Sequence, residues 1–304
     1  MAFIRRKKRG NTYYYELVEN AREEGKVVQK VIQYFPTLEA ANLYSEKKGI
    51  RKFESKYLIP PPLEESINRK LAKLNSLRPL LEAALNKLQE KFEVDVTYNS
   101  NAIEGNRLTL RETWLVLRRG VTIGGRTVEE HLEAKNHLEA LRHLNELVEG
   151  GRAISEADVL ELHRLVMSKV DEKIAGRYRE AQVYIEGAVH VPPPAKNVPA
   201  LMGEMISGLN GKEKGAEAVK SASRIHHKVA WIHPFVDGNG RMARLLLNLR
   251  LMRAGLPPIV IRKTERRSYY SALEKADDGD LYPITMMVAS AVERSLDMWL
   301  GAAE

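Results

Sequence analysis

A chain of 304 residues, 44% hydrophobic and 29% charged, is long enough to bury a full core as one large domain or one domain with an appendage. It contains no cysteine, which excludes a disulfide framework, cysteine-ligated zinc and a cysteine nucleophile. The formal charge of +8 is uneven: residues 1–60 hold 13 Lys/Arg against 7 Asp/Glu, so +6 sits in the first fifth of the chain.

Residues 1–34 alternate as strands do. Phe3 and Ile4 lead into a basic turn at Arg5–Gly10, then Tyr13–Val18, a second turn at Glu23–Gly25, and Val27–Tyr34; the pattern predicts a small three-stranded antiparallel sheet. Residues 37–58 read as helical, and Ile59-Pro60-Pro61-Pro62 removes backbone donors and breaks the helix, so the boundary between a basic β-rich module (1–60) and the main domain (63–304) falls there. From Leu63 onward apolar residues such as Ile67, Leu71, Leu74 and Leu88 recur at helical spacing, with Pro79 set to kink or split the first run, and the period returns through 128–148 and 155–169. One segment departs from helix: Val183–Val191 alternates like a β-hairpin and ends against Pro192-Pro193-Pro194. The N-terminus lacks a signal peptide's apolar stretch, and no apolar run reaches the length of a membrane span, which predicts a cytoplasmic protein with no membrane partner.

The densest cluster of chemistry is His233-Pro234-Phe235-Val236-Asp237-Gly238-Asn239-Gly240-Arg241-Met242-Ala243-Arg244, a tight loop between two apolar helical stretches. Positive φ at Gly238 and Gly240 would let the amides around Asn239 converge at a helix start, where the dipole favours an anion. Arg241 and Arg244, three residues apart, share a face of the first turn and can clamp phosphate oxygens. Asp237 suits Mg²⁺, with Mn²⁺ as an alternative, since such an ion takes one carboxylate plus substrate phosphates. His233 is the candidate general base for an incoming hydroxyl, and Phe235 is expected to face the core and fix the loop. His226 and His227 stand near His233, but no carboxylate occupies a zinc spacing, so the pair is read as packing or capping.

Every fixed position of the signature H-x-F-x-[D/E]-G-N-G-R-x-x-R is present at 233–244, and the chain resembles the Fic family. Gly176-Arg177-Tyr178-Arg179, Val183, Ile185 and His190-Val191-Pro192-Pro193 resemble that family's flap, and Tyr269–Leu273 with Gly279-Asp280 its C-terminal helices. The resemblance implies a mainly α fold over roughly residues 63–300: a Fic-type helical core with a β-hairpin flap, here preceded by the small N-terminal antiparallel sheet. It also implies an adenylyltransferase that binds ATP with Mg²⁺ at Asp237, holds phosphates at Gly238, Asn239, Gly240, Arg241 and Arg244, and moves AMP to a Ser, Thr or Tyr hydroxyl of a target protein through His233. Val183, Ile185 and Gly187 would line up the target, and Tyr270 would contact the nucleobase or ribose.

Ser100-Asn101-Ala102-Ile103-Glu104-Gly105 resembles the family's inhibitory signature, with Ser100 and Glu104 as its marked residues. Glu104 could pair with Arg244 and hold ATP unproductively, or position a water that removes AMP. Asp277 stands where some relatives have Asn, which leaves the base preference open. Rival readings are transfer of UMP, phosphate or phosphocholine from the same cradle, or a regulator that binds nucleic acid through residues 1–60. A homodimer is open as well.

Overall fold

The computed structural model describes residues 2–9, 12–23, 26–37, 40, 41, 44, 45, 48, 59–78 and 82–303. Three strands, β1 (Ala2–Arg9), β2 (Thr12–Glu23) and β3 (Lys26–Phe35), form an antiparallel meander in the order β1-β2-β3. The expected basic turn at Arg5–Gly10 is corrected in part: Arg5–Arg9 continue β1, because Arg5 lies opposite Glu16 and donates to its carboxylate at 2.6 Å. Gly10, Glu24 and Gly25 lie outside the described residues. On one side of the sheet Ile4, Tyr15, Leu17 and Phe35 are buried together with Ala41. A bulge at Leu17/Val18 interrupts the β2–β3 register, adding local twist. Of the helix expected over 37–58, residues 40, 41, 44, 45 and 48 are helical, and 49–58 lie outside the described residues.

The remainder is helical. Pro60 and Pro61, read as a break, also start a helix: the Pro60 carbonyl accepts from Leu63 and Glu64, and Pro61 takes a first-turn position where a missing donor costs nothing. This α1 (Pro61–Ser76) buries Ile67, Leu71 and Leu74 along one stripe. Pro79 lies outside the described residues, and α2 runs Glu82–Ile103. Capping boxes begin the next three helices, Thr109/Glu112 for α3 (Leu110–Arg119), Thr127/Glu130 for α4 (Val128–Glu149) and Ser155/Asp158 for α5 (Glu156–Met167). After α6 (Val198–Leu209) come α7 (Gly215–Ile232) and α8 (Asn239–Arg253), then α9 (Arg266–Asp277) and α10 (Tyr282–Ala303).

Two apolar clusters make the core, and α7 and α8 belong to both. On one side Val229, Ile232, Phe235, Met242 and Leu246 pack with α4, α5 and α6; on the other Val219, Ala222, Leu247 and Leu251 pack with α1, α9 and α10. From Arg241 to Leu251 every residue of α8 is buried, polar ones included, as a helix surrounded by others must be. Several of the polar groups find partners: Asn248 exchanges two bonds with the Ile259 backbone, and Arg250 donates through Nη2 to the Glu213 carboxylate at 2.6 Å, while its Nε and Nη1 are buried without a hydrogen-bond partner among the described residues. The loop between these two enclosed helices is therefore fixed at both ends by the core.

The expected β-hairpin over 183–191 is corrected. A hairpin-like turn exists, with the Ala188 amide donating to the Ile185 carbonyl at 3.1 Å and Gly187 at φ 74°, but no strand ladder joins its arms. The physical reason lies in the return arm, where Pro192, Pro193 and Pro194 supply no N–H, and the Pro192 and Pro193 carbonyls are taken instead by the side chains of Gln182 and Arg179.

Buried histidines make the fold sensitive to acid. His137 and His226 are fully buried beside Thr97 and Tyr269 respectively, and burial, reinforced by the Arg244 charge, lowers each pKa to about 3. The unfolded chain protonates these rings near the ordinary histidine value of 6.5 while the folded chain does not. Stability is therefore expected to fall as pH drops from 6.5 toward 3, each ring contributing a slope of about 1.4 kcal/mol per pH unit. Calorimetry across that range checks this, and a melting temperature flat from pH 6.5 to 4.5 would contradict it.

Candidate active site

α7 ends at His233, whose backbone turns into the left-handed region at φ 49°, ψ 60° while its N–H still donates to the Val229 carbonyl at 3.0 Å. A side-chain-bearing residue in that conformation is held there at a cost of about 1–2 kcal/mol. The loop that follows is pinned from beneath. Phe235 is fully buried and stacks on His163 of α5, ring centroids 3.7 Å apart and 7° from parallel. The Asn239 amide closes the loop on itself, accepting from the Phe235 N–H and donating to the Phe235 carbonyl, both at 2.9 Å.

His163 completes the brace. Its Nδ1 accepts from the Gly176 amide at 3.0 Å, which leaves Nε2 to carry the proton and donate to the Asp237 carbonyl at 3.0 Å. Burial lowers its pKa to about 4, so the ring stays neutral in this role. Gly238 sits beside it at φ 78°, where a Cβ would meet Met167 Sδ and His163 Nε2 at 3.2 and 3.3 Å.

The expectation of positive φ at both loop glycines holds at Gly238 and is corrected at Gly240, which lies in the first turn of α8 with ordinary helical φ. Its lack of a side chain serves another purpose, because a Cβ there would collide with the Glu104 carboxylate.

Arg241 and Arg244 do not converge on one point. Arg241, 2% exposed, donates to Glu133 of α4 at 3.0 Å and lies 3.4 Å from the Asp237 carboxylate. The same Glu133 accepts from Asn106 at 2.8 Å, so one carboxylate joins the signature helix to the turn that follows α2. Arg244, 5% exposed, donates to the Ser100 hydroxyl at 3.0 Å, the Ser100 carbonyl at 2.8 Å, the Glu104 carboxylate at 2.7 Å and the Tyr269 hydroxyl at 3.4 Å. Glu104 thus meets Arg244, 140 residues away in sequence, as its motif suggested, and Ser100 of the same motif, 144 residues away, joins the contact as well. Burial opposes the charge on Arg244, and Glu104 and Tyr269 together more than offset it, leaving its pKa raised.

His233 is half-buried, and burial is the largest reason its pKa falls below 6.5; the Arg179 charge adds to this, while the Ala230 carbonyl, Glu104 and Asp237 oppose it. Its imidazole is neutral at pH 7 and can accept a proton. Asp237 projects beside it with 63% of its side chain exposed. Among the described residues no three His, Asp or Glu side chains gather to hold an ion by themselves.

Tyr270 lies on the Glu104 side of the loop, its hydroxyl 3.5 Å from the Ile103 carbonyl and its ring 4.9 Å from the Arg266 guanidinium. His226 bonds Tyr269 and His227 bonds Asp277 at 2.8 Å, in agreement with the packing role expected for the pair. Val183 and Ile185 are half-buried, whereas Tyr184 and Val189 stand 78% and 99% exposed along the same segment. Sequence reasoning missed Glu133 and His163, which carry no motif around them, and left Arg179 and Tyr269 inside quoted stretches without a role.

A neutral imidazole lies at a helix end beside one exposed carboxylate and a helix N-terminus backed by two buried guanidiniums, an arrangement with the charge and donors that could receive a phosphate. Residues 153–251 match the model of the Fic/DOC family. Over 299 aligned residues the chain is 34% identical to the protein adenylyltransferase Fic of Aedes aegypti, with 96% of this chain and 58% of that protein covered. The namesake of Drosophila grimshawi is 37% identical over 241 residues, with 77% and 50% covered. Among solved structures, Fic-1 (residues 134–508) of C. elegans superposes at a TM-score of 0.68 with 35% identity, covering 79% of this chain and 73% of that one. A Fic domain containing signaling protein of Bacteroides thetaiotaomicron gives 0.71 with 30% identity, covering 78% and 96%. The chain belongs to the Fic family. It spans about half to three fifths of the length of the curated relatives it matches.

Proposed function

We propose that this chain transfers AMP from ATP to a Ser, Thr or Tyr hydroxyl of a protein target, and that Glu104 holds it in check. The observation that carries this reading is the pairing of Glu104 with Arg244 across the start of α8, directly over Gly240, at the head of a loop whose His233 is neutral. In the reaction, the acceptor oxygen attacks the α-phosphorus of ATP, His233 takes the hydroxyl proton, the bond from α-phosphorus to the bridging oxygen breaks, and pyrophosphate leaves. The N-terminus of α8, with Gly238, Asn239 and Gly240, receives the phosphates, and Arg241 and Arg244 exchange their carboxylates for phosphate oxygens.

The exposed Asp237 fits a Mg²⁺ ion that takes one carboxylate plus phosphate oxygens, and it would hold that ion. When bound, Mg²⁺ offsets phosphate charge. The segment around Val183, Ile185 and Gly187, which forms no strand ladder of its own, offers the target a strand-like partner, and Tyr270 walls the side on which the nucleoside would lie. The same Glu104 carboxylate could activate a water for AMP removal.

Incubation with ATP labelled at the α- or the γ-phosphate tests the reading. Label from the α position on protein supports it, label from the γ position alone means phosphate transfer, and label from neither, with cell lysate supplied as target, removes the AMP reading.

A second reading concerns the N-terminal sheet. Opposite its buried side, Tyr14 and Tyr34 place ring centroids 6.0 Å apart, Tyr34 is 63% exposed, and Lys7 is exposed on the strand partner of Tyr14. A cation beside paired aromatics is how single-stranded nucleic acid is gripped. The full chain is expected to bind a single-stranded oligonucleotide with an affinity that falls with salt, and Tyr34→Ala with Lys7→Glu to lose that binding. No affinity at low salt would refute this role.

A further inference from the structure

Among the described residues only two non-glycine positions have positive φ, Lys169 and His233, and the second carries the candidate base. Such a backbone persists only where its surroundings over-determine it. The residue that supplies the constraint is Arg179. It is 3% exposed, and among the described residues no carboxylate pairs with it. Its guanidinium instead donates to backbone carbonyls: Nε to His233 at 2.8 Å, Nη2 to Ile232 at 3.4 Å and to Pro193 at 2.5 Å, Nη1 to Ala181 at 3.0 Å. Its own amide donates to the Pro234 carbonyl at 3.0 Å.

Two of these acceptors close α7, where the helix dipole is negative and a cation is favoured. The other two sit on opposite arms of the segment proposed to align the target. One rigid planar group therefore spans three pieces of chain.

We propose that Arg179 is a positioning residue for transfer: it fixes the left-handed turn at His233 and clips both arms of the 181–193 segment to that turn, so that base and acceptor keep one geometry. This rests on the AMP-transfer reading. A lysine keeps the charge at this place but has a single nitrogen, which cannot reach all of these carbonyls at once. The groups charged or polar toward the His233 ring are Arg179, the Ala230 carbonyl, Glu104 and Asp237, so in a chain without Glu104 loss of the Arg179 cation leaves the Ala230 carbonyl and Asp237, both of which raise the ring's proton affinity.

The test compares Arg179→Ala and Arg179→Lys in the released Glu104→Gly background, with that parent as control. Both substitutions are expected to lower kcat about 100-fold, with KM for ATP within about twofold of the parent, since displacement of a reacting group by about 1 Å has that effect on the chemical step. Added guanidinium ion should restore part of kcat to Arg179→Ala and none to Arg179→Lys. NMR titration of the His233 ring, with no turnover required, should show its pKa raised in Arg179→Ala. The proposal is overturned if kcat stays within about threefold of the parent, or if kcat, ATP affinity and melting temperature fall together in both variants without rescue and with the His233 titration unmoved. If the parent itself transfers no AMP, the transfer reading fails, and the His233 titration alone decides: a raised value keeps the positioning role, an unmoved one removes it.

Discussion

Replacing Glu104 by glycine is expected to raise AMP incorporation about 10- to 100-fold while lowering the melting temperature by no more than about 4 °C. The rate follows from the pair that is lost. A hydrogen bond to a charged partner contributes about 1.5–3 kcal/mol, and that much binding must be broken before Arg244 can turn to a phosphate. The small stability effect follows from what remains: Arg244 keeps Ser100 and Tyr269, and Glu104 was 31% exposed before it was removed. α-Labelled ATP and calorimetry measure the two quantities. Incorporation no faster than in the unaltered chain would show that the Glu104–Arg244 contact does not limit transfer.

Replacing His233 by alanine in the same background is expected to lower transfer about a thousandfold and to leave ATP affinity within about threefold. The ring is the proposed proton acceptor and is not among the partners that hold Arg241 or Arg244, so binding and chemistry should separate. The dependence on pH has a definite sign. The base works only when neutral, and burial lowers its pKa, so activity is retained on acidification through 6.5 and is lost only when pH falls through the lower folded value. A profile whose acid limb has its midpoint at or above 6.5, or a His233→Ala variant that labels target at the parent rate, would remove the general-base role.

The helical domain and most of this site are legible in the sequence because their signals are local. Period 3.6 marks α4 and α5, and the twelve-residue signature places His233, Asp237 and both arginines on one loop and helix. Ser100 and Glu104 were legible for a different reason: a second short motif supplied a carboxylate for a guanidinium already assigned.

What escaped was carried by distance or by backbone. Glu133 meets Arg241 from 108 residues away, and nothing near either marks the partnership. The left-handed turn at His233 has no glycine to announce it. The hairpin was over-read because alternation at 183–191 satisfies the pattern for strands while the prolines that follow deny them donors. Gly240 was given a turn's reason for being glycine, whereas its surroundings supply a steric one.

The position of the Glu104 carboxylate above Gly240 would make the proposed restraint and the proposed reactivity unequally replaceable. On the proposed reading, restraint is discarded by one substitution at a partly exposed side chain in the turn just past α2, leaving the loop and its brace in place. The reverse route is costlier, because a side chain at 240 that evicted Glu104 would also crowd the Arg244 guanidinium, whose Nη1 lies 3.2 Å from where a Cβ would stand. On that reading, descendants of such a chain would lose control by a single change at 104 more readily than by any change at 240.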